Sequence, residues 1–257
     1  MIDLASQSTP PLIPATLFFT YKTSIAHLPE HLRANVRHTV EAYKHAMGNR
    51  TVRTRFLSDD DCRAELQEAN PELLPHFDAE LQGMYKADIC RVASLYNSGG
   101  YYFDVDLKAV EPAFIVAPET SFSTVVGAGS RGAENFFQAF MASSARHPIL
   151  HEALLAMLAY YTGTPLPESA QYMGTATLHQ AYATSLERDP ALAGGVQLLR
   201  ESQLDEGLEG APLGSAEYTI FPEVRRQAGV GCCCNYVVHS TENVHFFSRI
   251  RGTHWCR

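Results

Sequence analysis

Strand-like and helix-like segments alternate through the first 130 residues, and that rhythm constrains the fold more than any single motif. Leu17 to Thr20 is a short apolar run after Pro10, Pro11 and Pro14. Pro29 then opens a stretch to about Met47 in which Leu32, Val36, Val40 and Tyr43 recur at helical spacing. Thr51 to Leu57 alternates like a strand. Ser58 follows as a helix N-cap, with Asp59, Asp60 and Asp61 in the first turn, where the helix dipole favours negative charge. Met84 to Asn97 places Ile89, Val92, Ala93 and Tyr96 on or beside one stripe, and Gly99-Gly100 supplies a left-handed stop before a strand over Tyr101 to Leu107. The pattern predicts an α/β sheet with helices on both faces.

Further on, Phe122 to Val126 reads as a strand, and Asn135 to Ala142 and Pro148 to Tyr161 read as helices. Beyond Gly163 the signal weakens to a helix over Thr177 to Arg188 and short strands near Val196 to Leu199, Tyr218 to Phe221 and Tyr236 to His239. The expectation is one domain over residues 1–257, with 1–12 flexible and an irregular C-terminal half. A hydrophobic fraction of 46% over 257 residues is enough to bury its core.

The charge balance narrows the partners. With 20 Lys+Arg against 28 Asp+Glu, a net −8, a phosphate-bearing ligand must be met by a local cluster or a metal, and nucleic acid is not expected. No apolar run approaches the roughly 18 residues of a membrane span. The first residues lack the basic region, apolar core and cleavage site of a secretory signal, so a soluble, cytoplasmic chain is expected. Three of the six cysteines stand together at Cys232, Cys233 and Cys234, while Cys62, Cys90 and Cys256 are scattered. Without CxxC spacing they read as buried thiols in a reducing compartment.

The chemistry concentrates between Lys86 and Asp106. Side chains two apart on a strand share a face, so Asp104 and Asp106 are expected to point together while Phe103, Val105 and Leu107 turn inward. Their Cα atoms would lie roughly 6.6 Å apart at about 3.3 Å per residue, whereas oxygens around a small divalent cation sit closer. Unequal roles follow: one carboxylate ligates the ion directly, and the other reaches it through water or holds a ligand hydroxyl. Asp88 and Arg91, three apart on the preceding helix, share a face. Arg91 is suited to hold a phosphate or to orient a carboxylate, and Asp88 to accept from sugar hydroxyls. A second D-x-D, at Asp59 and Asp61, opens a helix and reads as solvated N-terminal charge.

The unit closely resembles glycosyltransferase family 32, the DXD sugar-binding-region transferases that include yeast Golgi mannosyltransferases, and is similar to the core of clostridial glucosylating toxins. Lys86, Asp88, Arg91, Tyr96, Gly99, Gly100, Tyr102, Asp104 and Asp106 occupy that family's (K/A)-x-D-x-x-R and Y-x-x-G-G-x-Y-x-D-x-D positions. Ile13 to Thr23 looks like its opening strand, which approaches the nucleotide base and brings in Phe19 and Thr20. Gln138 to Ser143 with His147-Pro148 looks like its NAFMAS…GHP segment, Gln138 replacing Asn. Tyr172 to Thr175 stands where the family has a TGP turn, without the Pro.

The resemblance implies a GT-A-like single domain with a mixed, mostly parallel sheet. It also implies a Mn²⁺- or Mg²⁺-dependent transfer of a hexose from a UDP- or GDP-linked donor to a glycan, lipid-linked glycan or protein hydroxyl, with retention of configuration. Asp104, Asp106 and Arg91 would be catalytic. Asp88, Arg91, Tyr102, Gly100, Phe19, Thr20, Gln138 and Trp255 would bind substrate, and His254 would join Asp104 and Asp106 on the metal, with His239, His245 and Thr253 competing for that place.

Other motifs fail on context. Gly127 to Gly132 matches GxGxxG but lacks the acid of a second strand, Glu152 lying in a helical run. Ser130 lacks the first glycine of a nucleophile elbow. His147 and His151 lack the HExxH glutamate, with His147 at a helix cap. A haloacid-dehalogenase-like phosphatase and a sugar-nucleotide-binding module without turnover are the rival readings.

Overall fold

The computed structural model describes residues 11–48, 50–127, 135–168, 170, 172–203, 236–240 and 243–248. Strand β1 (Thr16–Thr20) leads into helix α1 (Glu30–Ala46), then β2 (Arg53–Leu57) and α2 (Asp59–Ala69). Ser58 caps α2 as expected: its hydroxyl accepts from Asp61 N–H while the Asp61 carboxylate accepts from Ser58 N–H. A short α3 (Leu74–Ala79), which periodicity did not reveal, precedes α4 (Gly83–Ser98). Gly99, with φ 64°, ends α4, and β3 (Gly100–Phe103) and a two-residue β4 (Lys108–Ala109) follow.

The remaining described elements are β5 (Phe122–Val126), β6 (Phe136–Ser143), α5 (Pro148–Tyr161), α6 (Met173–Arg188), β7 (Val196–Gln203), β8 (Tyr236–His239) and β9 (Val244–Ser248). The strands form one sheet in the order β2-β1-β3-β6-β5-β7-β8-β9-β4. It is mixed, but five of the eight pairings are antiparallel, against the mostly parallel sheet expected. The parallel pairings are β2-β1, β1-β3 and β5-β7.

Helices cover both faces of the sheet, as the alternation required. Leu17 and Phe19 on β1 and Tyr101 and Phe103 on β3 pack with Val36 and Tyr43 of α1. Phe18 and Tyr102, on the other face, pack with Leu66 of α2, Ile89 of α4 and Leu150 of α5. Alternation along a strand thus assigns each residue to one of two cores.

Two expectations are corrected. Asn135 to Ala142 is not a helix: Phe136–Ser143 is β6, set between β3 and β5. A strand buried on both faces is apolar almost throughout, and such a run carries no period to separate it from a buried helix. Cys62 and Cys90 are not thiols but a disulfide joining α2 to α4, their Cα atoms 5.1 Å apart. Cys232, Cys233, Cys234, Cys256 and the expected strand at Tyr218 to Phe221 lie outside the described residues. Among the described residues no helix is long and apolar enough to cross a membrane.

Candidate active site

Strand β1 continues through α1 to β2 on one side of the sheet, whereas β3 lies on its other side. The strand order therefore reverses at the carboxyl ends of β1 and β3, the place where open α/β sheets bind ligands. The sequence puts Thr20 at one of those ends and Asp104 just past the other.

The expected strand stops short. β3 ends at Phe103, and Asp104 to Asp106 form a turn in which Leu107 N–H donates to Asp104 O at 3.0 Å. Strand alternation therefore does not set the two carboxylates; the turn does. It is pinned on one side by Asp104 N–H to Ala139 O at 2.8 Å. On the other, the buried Asn35 amide of α1 donates to Val105 O at 2.8 Å and Leu107 O at 2.9 Å. Asn35 thus holds the carbonyls on both sides of Asp106, a role nothing in local sequence pattern signals.

The side chains of this corner are linked to one another. Tyr102 OH donates to Asp104 Oδ1 at 2.7 Å and is itself 2.9 Å from Thr20 Oγ1. The Arg91 guanidinium lies over the Tyr102 ring, 4.6 Å from its centroid. Its Nη1 donates to Gln138 O at 2.7 Å and sits 3.3 Å from Asp104 Oδ1, its Nη2 is 3.3 Å from Asp88 Oδ1, and its Nε donates to Ala87 O at 3.1 Å. Of the two roles read from sequence, orientation of carboxylates is the one this geometry provides: Arg91 is 5% exposed, with its donors turned to Asp88, Asp104 and two carbonyls.

Burial sets the charges. Asp88, on the buried face of α4, has its carboxyl pushed up to about 6 by desolvation, with Arg91 pulling it down and Asp104 adding a smaller upward push. Burial works against the Arg91 charge, but Asp104, Tyr102, Asp88 and Asp106 outweigh it and raise its pKa above the ordinary arginine value. Desolvation likewise holds the Tyr102 phenol well above its usual range. The result is a fixed cation between ionisable carboxyls.

Asp88, Arg91, Asp104 and Gln138 all line one cleft of about 350 Å³. Gln138 Nε2 donates to Gly174 O, and its Oε1 is buried with no protein partner. Sequence reasoning missed Glu201 here, and the part that Gly174 plays. Glu201 of β7 lines the same cleft, and Gly174 in the first turn of α6 lies so close to Asp88 that a Cβ there would overlap its carboxylate. The expected TGP-like turn is this helix start.

Four expected contacts fall elsewhere. Phe19 is in the α1-side core, and Gly100 serves packing, since a Cβ on it would come within 2.5 Å of Thr16 O. His239 on β8 and His245 on β9 are engaged with Ser202 and with Ser240. His254, Trp255 and Thr253 lie outside the described residues. Among the described residues no group of three His, Cys, Asp or Glu side chains is arranged to hold a metal. Asp104 and Asp106 nonetheless fit a hard divalent cation in donor chemistry, both being carboxylates of one turn, with Asp104 lining the cleft and 30% of its side chain open.

Residues 23–123 match the family model described as glycosyltransferase sugar-binding region containing a DXD motif. The match supports a glycosyltransferase. The matched region contains Asp88, Arg91, Tyr102 and Asp104, which converge here, and Asp106 in the adjoining turn. The solved structure of PaToxG glycosyltransferase has a TM-score of 0.50 at 15% identity, over 72% of this chain and 74% of that one, a likeness of fold. A transferase solved as a double cysteine-to-serine mutant gives 0.40 at 14% identity, over 70% and 87%. No curated protein matches the chain. Transferases with this sugar-binding region generally use a divalent metal.

Proposed function

We propose that the chain transfers a hexose from a nucleoside-diphosphate sugar to an acceptor hydroxyl, with Mn²⁺ or Mg²⁺ bound at Asp104 and Asp106 and with retention of configuration. The observation that carries this reading is the convergence of Asp104, Asp88 and Arg91 on one cleft at the switch point of the sheet. A cation there supplies Lewis-acid neutralisation of the diphosphate.

The chain's own residues hold the rest. Asp88 accepts from sugar hydroxyls in the cleft, and Arg91 fixes Asp88 and Asp104 relative to each other. In the reaction the C1–O bond to the diphosphate breaks, and C1 bonds to the acceptor oxygen on the same face of the ring. The acceptor proton goes to the leaving phosphate oxygen. No carboxylate is assigned as a covalent nucleophile.

The test is a screen of nucleotide sugars with Mn²⁺, followed by release of nucleoside diphosphate. Turnover that disappears in excess EDTA supports the reading. Hydrolysis of simple phosphomonoesters through an aspartyl-phosphate on Asp104 would replace it with a phosphatase. Metal-dependent donor binding without turnover on any acceptor would replace it with a binding module.

A further inference from the structure

A second cavity, of about 260 Å³, lies across α4 from the sugar cleft. Gly83, Lys86 and Ala87 line this cavity, whereas Met84, Asp88 and Arg91 line the cleft, so the three-and-four spacing of the helix assigns each cavity one side of its first turns. Thr20 and Tyr21, at the carboxyl end of β1, form another wall. Thr20 is also the residue whose hydroxyl reaches Asp104 through Tyr102. Thr20 thus sets this cavity beside the Asp104 corner, and, resting on the transferase reading, we assign the base end of the donor to it.

The polar groups of the cavity have a definite order. Lys86 Nζ donates to Asp59 Oδ2 at 2.9 Å, and both residues line the wall. The pair presents two carboxylate acceptors with an ammonium donor beside them. The edge of guanine offers N2–H, N1–H and O6, donor-donor-acceptor, and meets all three. Uracil offers O2, N3–H and O4, so one carbonyl must face a carboxylate oxygen. Adenine sets its ring acceptor N1 beside its amino donor, which leaves no second donor for the carboxylate. Tyr21 adds an aromatic wall for any base, independent of identity. We infer that Asp59 and Lys86 read the base, and that the donor is a guanine nucleotide sugar.

Mispaired polar groups in a built site are strongly rejected, although partial exposure of both side chains moderates the effect here. The test is titration calorimetry of the full chain with MnCl₂ and GDP, UDP, ADP or CDP. GDP is expected to bind at least tenfold more tightly than UDP. Asp59→Asn, which replaces one acceptor by a donor, should weaken GDP about tenfold or more and leave UDP within twofold. The variant keeps the Ser58–Asp61 capping box, so α2 retains its start. Tighter binding of UDP overturns the base assignment and leaves the transferase reading standing. Equal weakening of GDP and UDP by Asp59→Asn, with a lowered melting temperature, would make the pair a latch between α2 and α4 and also overturn it. Absence of binding by all four nucleotides would remove the transferase reading itself.

Discussion

Asn35→Ala is the perturbation that separates the turn from the residues it carries. The substitution removes the donors to Val105 O and Leu107 O, at 2.8 and 2.9 Å. A buried carbonyl left without a partner costs about 1–3 kcal/mol, so two cost about 2–6. Asn35 Oδ1 is itself buried without a protein partner, and its removal returns part of that, about 1 kcal/mol. The Val105 bond is only part-buried, which lets water replace it. The net expectation is a loss of about 2–4 kcal/mol in urea unfolding, or about 4–16 °C for a domain of this size. Stability alone would describe any core residue. The distinguishing readout is the Mn²⁺ concentration that half-saturates donor binding, measured well below the melting temperature. It should rise at least fivefold in Asn35→Ala, because the Asp106 turn loses its clamp. Asn35→Asp, which sets acceptors against the two carbonyls, should be no better than Ala. Unfolding within about 1 kcal/mol of wild type, with Mn²⁺ dependence unchanged, would refute the reasoning.

Other perturbations probe the same corner. Asp106→Ala should lower turnover by about 10³, roughly 4 kcal/mol, while Asp61→Ala, in the α2 cap, leaves it within a few-fold. Gly174→Ala, which drives a methyl into Asp88, should reduce donor binding although alanine is the better helix former; unchanged calorimetry would show that α6 can move aside. Because the folded Asp88 carboxyl is raised from 3.8 to about 6, the native state holds its proton longer than the unfolded chain does. Its contribution is therefore fully present below about pH 4 and lost as pH rises through 6, by about 2–3 kcal/mol, so in EDTA Asp88→Asn should gain on wild type over that window. A gap between the two that does not change with pH would contradict the burial of a titrating group. Reduction of Cys62–Cys90, which are 28 residues apart, should cost about 3–4 kcal/mol of stability by chain entropy; non-reducing peptide mapping that finds both as thiols would remove the bridge.

What sequence pattern can convey depends on whether the cause is local. The β1-α1-β2-α2 start and the end of α4 were legible because apolar spacing, the Ser58 cap and the Gly99 stop each act within a few residues. Asp88 and Arg91 were legible as a pair, because i,i+3 spacing puts them on one face of α4, and the resemblance to DXD transferases tied Asp104 to them. The strand period failed beyond Phe103 because the turn is held by Asn35 and Ala139, about 70 and 35 residues away along the chain. β6 was misread because burial on both faces erases period, and the disulfide because contact between α2 and α4 is tertiary. Phe19 was misassigned although alternation held the answer: it shares its face with Leu17, toward α1.

The chain of hydroxyls from Thr20 to Asp104 has a direction. Tyr102 owns one hydroxyl hydrogen and gives it to Asp104, so in the other bond Thr20 must be the donor. Any ligand beside Thr20 that claims its hydrogen leaves Tyr102 oxygen without a donor, and the strength of its grip on Asp104 changes accordingly. Whatever binds at the carboxylates is felt at Thr20 by the same factor, since the coupling of two binding equilibria is reciprocal. The two cavities flanking α4 are thus linked by a buried phenol as well as by the donor that would span them.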